Sequence, residues 1–152
     1  MAAKELREFF RTKKAKAAPG NIDWAGRKKA WVDAIERLYR RITQDYLSGL
    51  QKDGLVRISY TPKTIHEDYI GEYEVRELVL HVGGEKVVFS PKGTNIVGAS
   101  GRIDLRGDMG EVTIVLQPRV RWCVVLTRTP TLKTVPLDEE SLLMALKSVM
   151  QQ

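Results

Sequence analysis

The apolar positions of this chain change period twice. Between Trp24 and Leu50 they recur at three, four or seven residues, as Trp24, Trp31, Ile35, Leu38, Ile42 and Tyr46, which makes one stripe along an α-helix. Val32, Tyr39, Leu47 and Leu50 widen that stripe. Asn21 or Asp23 can cap its start, and Lys52 with Gly54 signals its end, so the spacing predicts a helix running to about residue 50. Helical spacing returns near the C-terminus with Leu142, Leu146 and Val149, flanked by Leu143 and Met150. There Asp138 caps, Glu139 and Glu140 sit in the electropositive first turn, and Leu137 can staple onto Leu142.

Between these helices the period is two. Val56, Ile58 and Tyr60 alternate with Arg57 and Ser59, a first strand from Leu55 to Tyr60 that Thr61-Pro62 ends. The stretch PKTIHEDYIG reads as a linker into a second strand from Glu72 to Val82. In that strand Tyr73 and Val75 are odd whereas Leu78, Leu80 and Val82 are even, which predicts a bulge or bend near Arg76 and Glu77.

Turn length then sets the register. Gly83-Gly84 is a two-residue hairpin connection, placing Val82 opposite Glu85, Leu80 opposite Val87 and Leu78 opposite Phe89. The reverse side carries Val79 with Val88 and His81 with Lys86. A second hairpin turns through Gly107, Asp108, Met109 and Gly110, setting Leu105 against Val112 and Ile103 against Ile114, with Arg106 facing Glu111 and Asp104 facing Thr113 on the reverse. A slip of one residue would bury Arg102, Asp104 and Arg106 together, so the register is well specified. If Gln117-Pro118-Arg119 is all loop, Val120, Trp122 and Val124 align with Leu116, Ile114 and Val112. Beyond Leu126 two prolines mark an irregular or edge segment, with room for a short strand at Leu132 to Val135.

The pattern therefore predicts an α+β fold: a mostly antiparallel meander sheet of five or six strands, packed on one face by a long N-terminal helix and a C-terminal helix. Residues 1–20 read as a basic arm or short helix bearing Leu6, Phe9 and Phe10 on one side, and 21–152 as one α+β domain. A length of 152 residues with 43% apolar content suits that size.

Charge changes the picture at one end only. The net charge is +6, yet residues 1–20 hold six Lys or Arg against two Glu, 21–52 seven basic against four acidic, and 53–152 twelve basic against thirteen acidic. The whole excess lies in the N-terminal third, which makes Lys13, Lys14 and Lys16 with Arg37, Arg40 and Arg41 the candidates for phosphate contact with a nucleic acid. No apolar run reaches the length of a membrane span and no secretory signal is apparent, so the expectation is a cytoplasmic protein without a membrane partner. The lone Cys123 leaves no internal disulfide and fits a reducing compartment.

Candidate chemistry is thin. GTNIVGAS, Gly93 to Ser100, has the glycine spacing of a phosphate loop, but Ala99 stands where the lysine belongs and a strand pattern follows where a helix should open. Arg106-Gly107-Asp108 is a chance tripeptide at a hairpin tip, His66 and His81 lack a second histidine at ligand spacing, and Cys123 reads as a small buried hydrophobe. Asp104 with Glu111 is in part similar to the paired carboxylates of metal-dependent nucleases, without the second carboxylate and lysine in their places. No cofactor or metal is implied.

Three functional expectations follow. The first is a non-enzymatic interaction module that holds a protein partner, or itself, through the outer sheet face (His81, Lys86, Arg102, Asp104 and Arg106) or the basic arm. The second is nucleic-acid binding by the arm and helix face. The third is a metal-dependent nuclease centred on Asp104.

Overall fold

The computed structural model describes residues 2–17 (side chains as far as residue 13), 23–94, 100–119, 121–127 and 131–152. Its helices are α1 (Ala2–Ala17), α2 (Trp24–Arg40), α3 (Ser48–Lys52) and α4 (Glu139–Val149). Seven strands, β1 (Arg57–Glu67), β2 (Gly71–Val82), β3 (Glu85–Gly93), β4 (Gly101–Gly107), β5 (Gly110–Gln117), β6 (Arg121–Thr127) and β7 (Lys133–Pro136), form one sheet in sequence order. Every neighbouring pair is antiparallel, so this is an α+β meander with seven strands where five or six were expected. The additional strand is the short β7, which pairs with β6 at the sheet edge in spite of the prolines around it.

Both glycine hairpins take the register their turn lengths dictate. Leu78 pairs with Phe89 and Leu80 with Val87; Ile103 pairs with Ile114 and Leu105 with Val112. Leu78, Phe89, Ile103, Leu105 and Ile114 have no exposed surface. The β5–β6 pairing differs from the sequence expectation: Gln117 pairs with Arg121, and Trp122 lies opposite Leu116 where Ile114 was expected. The offset is two residues, so each side chain keeps its face. Arg119 takes a positive φ of 68° to tighten the turn.

The first hairpin is longer than the sequence suggested. β1 runs through Pro62 to Glu67, absorbing most of the supposed linker. Pro62 costs no sheet hydrogen bond there because β1 is an edge strand. Pairing of β1 with β2 is unbroken from Arg57↔His81 to Glu67↔Gly71, while β2 pairs with β3 only as far as Leu78. Beyond Leu78 β2 no longer pairs with β3, and there odd residues Tyr73 and Val75 join the same core as even residues Leu78 and Leu80 without a bulge at Arg76 and Glu77, through which the β1–β2 pairing runs unbroken. The register break falls on the next strand, between Pro91 and Gly93 of β3.

α2 buries Trp31, Ile35, Leu38 and Tyr39 against the inner sheet face, Ile42 just beyond it joins them, and α4 adds Leu142, Ala145 and Val149. Asp23 caps α2 by accepting from the Gly26 amide at 2.9 Å. Asp138 caps α4 in a capping box with Ser141. The long helix is not uniform to residue 50. A π-helical turn spans Arg41–Tyr46, closed by Leu47 N–H to the Ile42 carbonyl at 3.0 Å, and Thr43 Oγ1 donates back to the Tyr39 carbonyl at 2.9 Å. One extra residue in that turn puts Leu47, five after Ile42, on the buried stripe.

Candidate functional site

The reverse face of the sheet carries the polar side chains that the sequence singled out, and cross-strand pairing places each. Thr61↔Glu77, Ser90↔Asp104 and Asp104↔Thr113 share one row across the strands; Val88↔Arg106 and Arg106↔Glu111 share the next. Asp104 is buried, 3% exposed, because its carboxylate lies under the Arg102 guanidinium. Arg102 Nε donates to Oδ1 at 2.8 Å and Nη2 to Oδ2 at 3.2 Å, so both carboxylate oxygens have a charged donor, and the pair raises the Arg102 pKa. Arg106 approaches Glu77 at 4.0 Å.

Lys63 completes this group. Its ammonium donates to Ser90 Oγ at 2.9 Å and to the Pro91 carbonyl at 2.6 Å. Burial first, then the nearby Lys92 charge, lowers its pKa.

His81 and Lys86 stand apart from that cluster, near the Gly83-Gly84 turn. His81 Nε2 lies 3.0 Å from Ser59 Oγ, and partial burial with the charges of Arg57 and Lys86 holds the imidazole pKa below its ordinary value. The Asp104 row lies two steps of about 7 Å along the strands from the His81–Lys86 row, and the Val79–Val88 row between them carries Arg106. The five residues grouped by sequence are therefore spread over successive rows: Arg102 pairs with Asp104, with Lys63 bound to Ser90 of the Asp104 row, Arg106 stands in the middle row near Glu77, and His81 with Lys86 lies beyond it.

The inner end of the first hairpin holds a second buried carboxylate. Glu67 accepts from Tyr73 Oη at 2.5 Å, from the Thr94 amide at 2.8 Å and from Thr94 Oγ1 at 3.0 Å, and Arg27 Nη2 donates to the Thr94 carbonyl at 2.7 Å. Burial and then the Glu67 contact raise the Tyr73 pKa far above the usual phenol range. These bonds tie the turn end of the hairpin to the last residues of β3. Lys63 and Glu67 escaped the sequence reading because both fell in the stretch taken for a linker; the alternation of Ile65 with His66 was the one signal there.

The basic set is divided as well. α1 stands with every described side chain exposed, including Leu6, Phe9 and Phe10, and Lys13 lies over the Phe9 ring at 5.5 Å. The side chains of Lys14 and Lys16 lie outside the described residues, as do residues 95–99 of the glycine-rich stretch. On α2, Lys29 pairs with Asp33 at 3.0 Å and Arg37 reaches the Asp33 carbonyl at 3.4 Å. Arg41 donates to the Leu137 carbonyl at 2.6 Å and to Tyr46 Oη at 2.8 Å, fastening the π-helical turn to the approach to α4. Arg40 is exposed.

Two hollows flank α4. One, of about 510 Å³, lies between the end of the long helix and α4, and is walled by Leu47, Leu50, Leu142, Leu143 and Leu146 with Glu139 and Glu140 at its rim. The other, of about 500 Å³, lies between β7 and α4. Among the described residues no group of three or more His, Cys, Asp or Glu side chains is placed to hold a metal ion, and no helix is long and apolar enough to cross a membrane. Compared with protein-family models, with characterised proteins and with solved structures, the chain matches none.

Proposed function

We propose that this protein is a non-catalytic binding module that takes a protein partner through the apolar side of α1. One observation carries the reading: Leu6, Phe9 and Phe10, at positions i, i+3 and i+4 of one helix, are 56%, 55% and 61% exposed. That spacing is how an amphipathic helix presents anchors to a groove. A helix left in water with two adjacent phenylalanines on its surface gains free energy by covering them, about 25 cal/mol per Å² of apolar area. The reverse sheet face supports the same conclusion from the other side, since Arg102 is bound to Asp104 and Arg106 lies near Glu77.

A photo-crosslinking amino acid at position 9, with a matched control at the exposed Gln44, tests the reading in cells that make the protein. A discrete protein adduct at position 9 and none at 44 is the expected result. Nuclease-sensitive adducts that vanish as salt rises would transfer the function to nucleic-acid binding by Lys13, Lys14, Lys16, Arg37, Arg40 and Arg41. The nuclease reading has less support, because both Asp104 oxygens already accept from Arg102.

A further inference from the structure

We propose that the partner of α1 is a second copy of this chain, whose cleft between α3 and α4 receives Leu6, Phe9 and Phe10. This rests on the binding-module reading above and names its partner. The cleft is largely apolar: Leu50, 43% exposed, and Leu143, 53% exposed, both line a hollow of about 510 Å³. Such a hollow is of the size that takes bulky side chains from a partner helix.

Charge matches in the same direction. α1 and the residues just after it carry six Lys or Arg against two Glu, while the cleft is rimmed by Glu139 and Glu140, with Asp138 in the adjoining hollow. Apolar anchors flanked by basic residues therefore meet an apolar floor flanked by acidic ones, the arrangement that steers encounter and fixes register.

In the structure the chain's own α1 leaves Leu6, Phe9 and Phe10 exposed, and leaves Leu50 and Leu143 of the cleft exposed as well, so the two complementary surfaces stand open to pair between copies. Two copies can exchange α1 reciprocally, closing a two-fold pair in which both apolar faces and both clefts are covered at once.

Sedimentation of the full chain across a concentration series into the high micromolar range tests this. A monomer–dimer equilibrium that weakens with salt is expected. Phe9→Asp/Phe10→Asp and Leu143→Asp each change exposed positions, so each leaves the fold intact by circular dichroism, and each weakens association by roughly tenfold or more. Mixing the two variants restores a hetero-pair, because one intact α1 then meets one intact cleft. A chain that stays monomeric throughout, a Leu143→Asp variant that associates like the wild type, or a mixture that gains nothing over either variant alone overturns the inference. So does a monomer that binds phosphatidylglycerol vesicles through α1. If the position-9 crosslink captures a different protein while the chain sediments as a monomer, the binding-module reading stands and only the self-pairing fails.

Discussion

The hydroxyl of Tyr39, at the C-terminal end of α2, donates to the carbonyl oxygen of Arg76 at 2.7 Å, on the segment of β2 that has already left β3. The Phe89 carbonyl, on the strand left behind, lies 3.3 Å from the same oxygen. One phenol thus spans the fork where the first hairpin departs from the sheet, and burial drives its pKa far above the ordinary phenol value, so it stays a donor.

Tyr39→Phe keeps the ring in the core and removes only that donor. The loss expected from urea denaturation is about 1–2 kcal/mol with an unchanged m value. A variant as stable as the wild type would show that water or strand pairing alone satisfies the two carbonyls.

Gly101→Ala tests how closely α2 approaches the sheet. A Cβ there would stand 2.2 Å from Trp31 Cζ3, inside the ring's own volume, and Trp31 is only 1% exposed. Thermal unfolding should show a loss of about 1–3 kcal/mol, with a change in tryptophan fluorescence. Gly49→Ala, whose added methyl meets nothing within 4 Å, is the control expected to be neutral or stabilising.

The Arg102–Asp104 pair predicts that a second substitution rescues the first. Arg102→Met strands the buried Asp104 carboxylate and should cost about 1–3 kcal/mol, moderated by the partial exposure of Arg102. Arg102→Met/Asp104→Leu removes the buried charge as well and should recover most of the loss. A double variant less stable than the single would mean that the pair itself, and not the desolvated carboxylate, governs this face.

Asp138 makes stability depend on pH. The Ser141 amide, then the Ser141 hydroxyl contact and the Arg41 charge, hold its carboxyl below the ordinary carboxylate value. A depressed folded-state pKa contributes stability that is fully present above the unfolded value and disappears as pH falls through the folded one. The melting-temperature gap between wild type and Asp138→Ala should therefore be largest near neutral pH and close in strong acid. A gap that stays constant with pH would assign the effect to helix propensity and not to the cap.

Much of the sheet was legible in the chain because two glycine turns count residues. Once Gly83-Gly84 and Gly107 to Gly110 are placed, Leu78, Phe89, Ile103, Leu105 and Ile114 must share a face, and they are the most buried apolar residues of the strands. Asp138 was plain as a cap, since it stands immediately before a helical period, whereas the start of the long helix left Asn21 and Asp23 as alternatives, of which Asp23 makes the cap. Pro62 misled, because a proline stops a central strand but not an edge strand, and edge position is a property of the assembled sheet. The π-helical turn left no trace either: both Tyr46 and Leu47 are apolar, so the stripe can continue at four residues or at five.

The candidate surface was only partly readable for the same reason. Alternation told which side chains point away from the helices, and Arg102, Asp104 and Arg106 do; it could not tell that Asp104 is covered by a guanidinium two residues away. Nor could it bring Lys63 to Ser90, a contact between β1 and β3 that joins residues 27 positions apart. Local rules of turn length, capping and period act between residues a few positions apart, and these the amino-acid order determined by itself. The parting of the first hairpin from β3, the burial of Glu67 and Asp104, and the open cleft beside α4 join residues tens of positions apart, where the packing of whole elements sets the outcome.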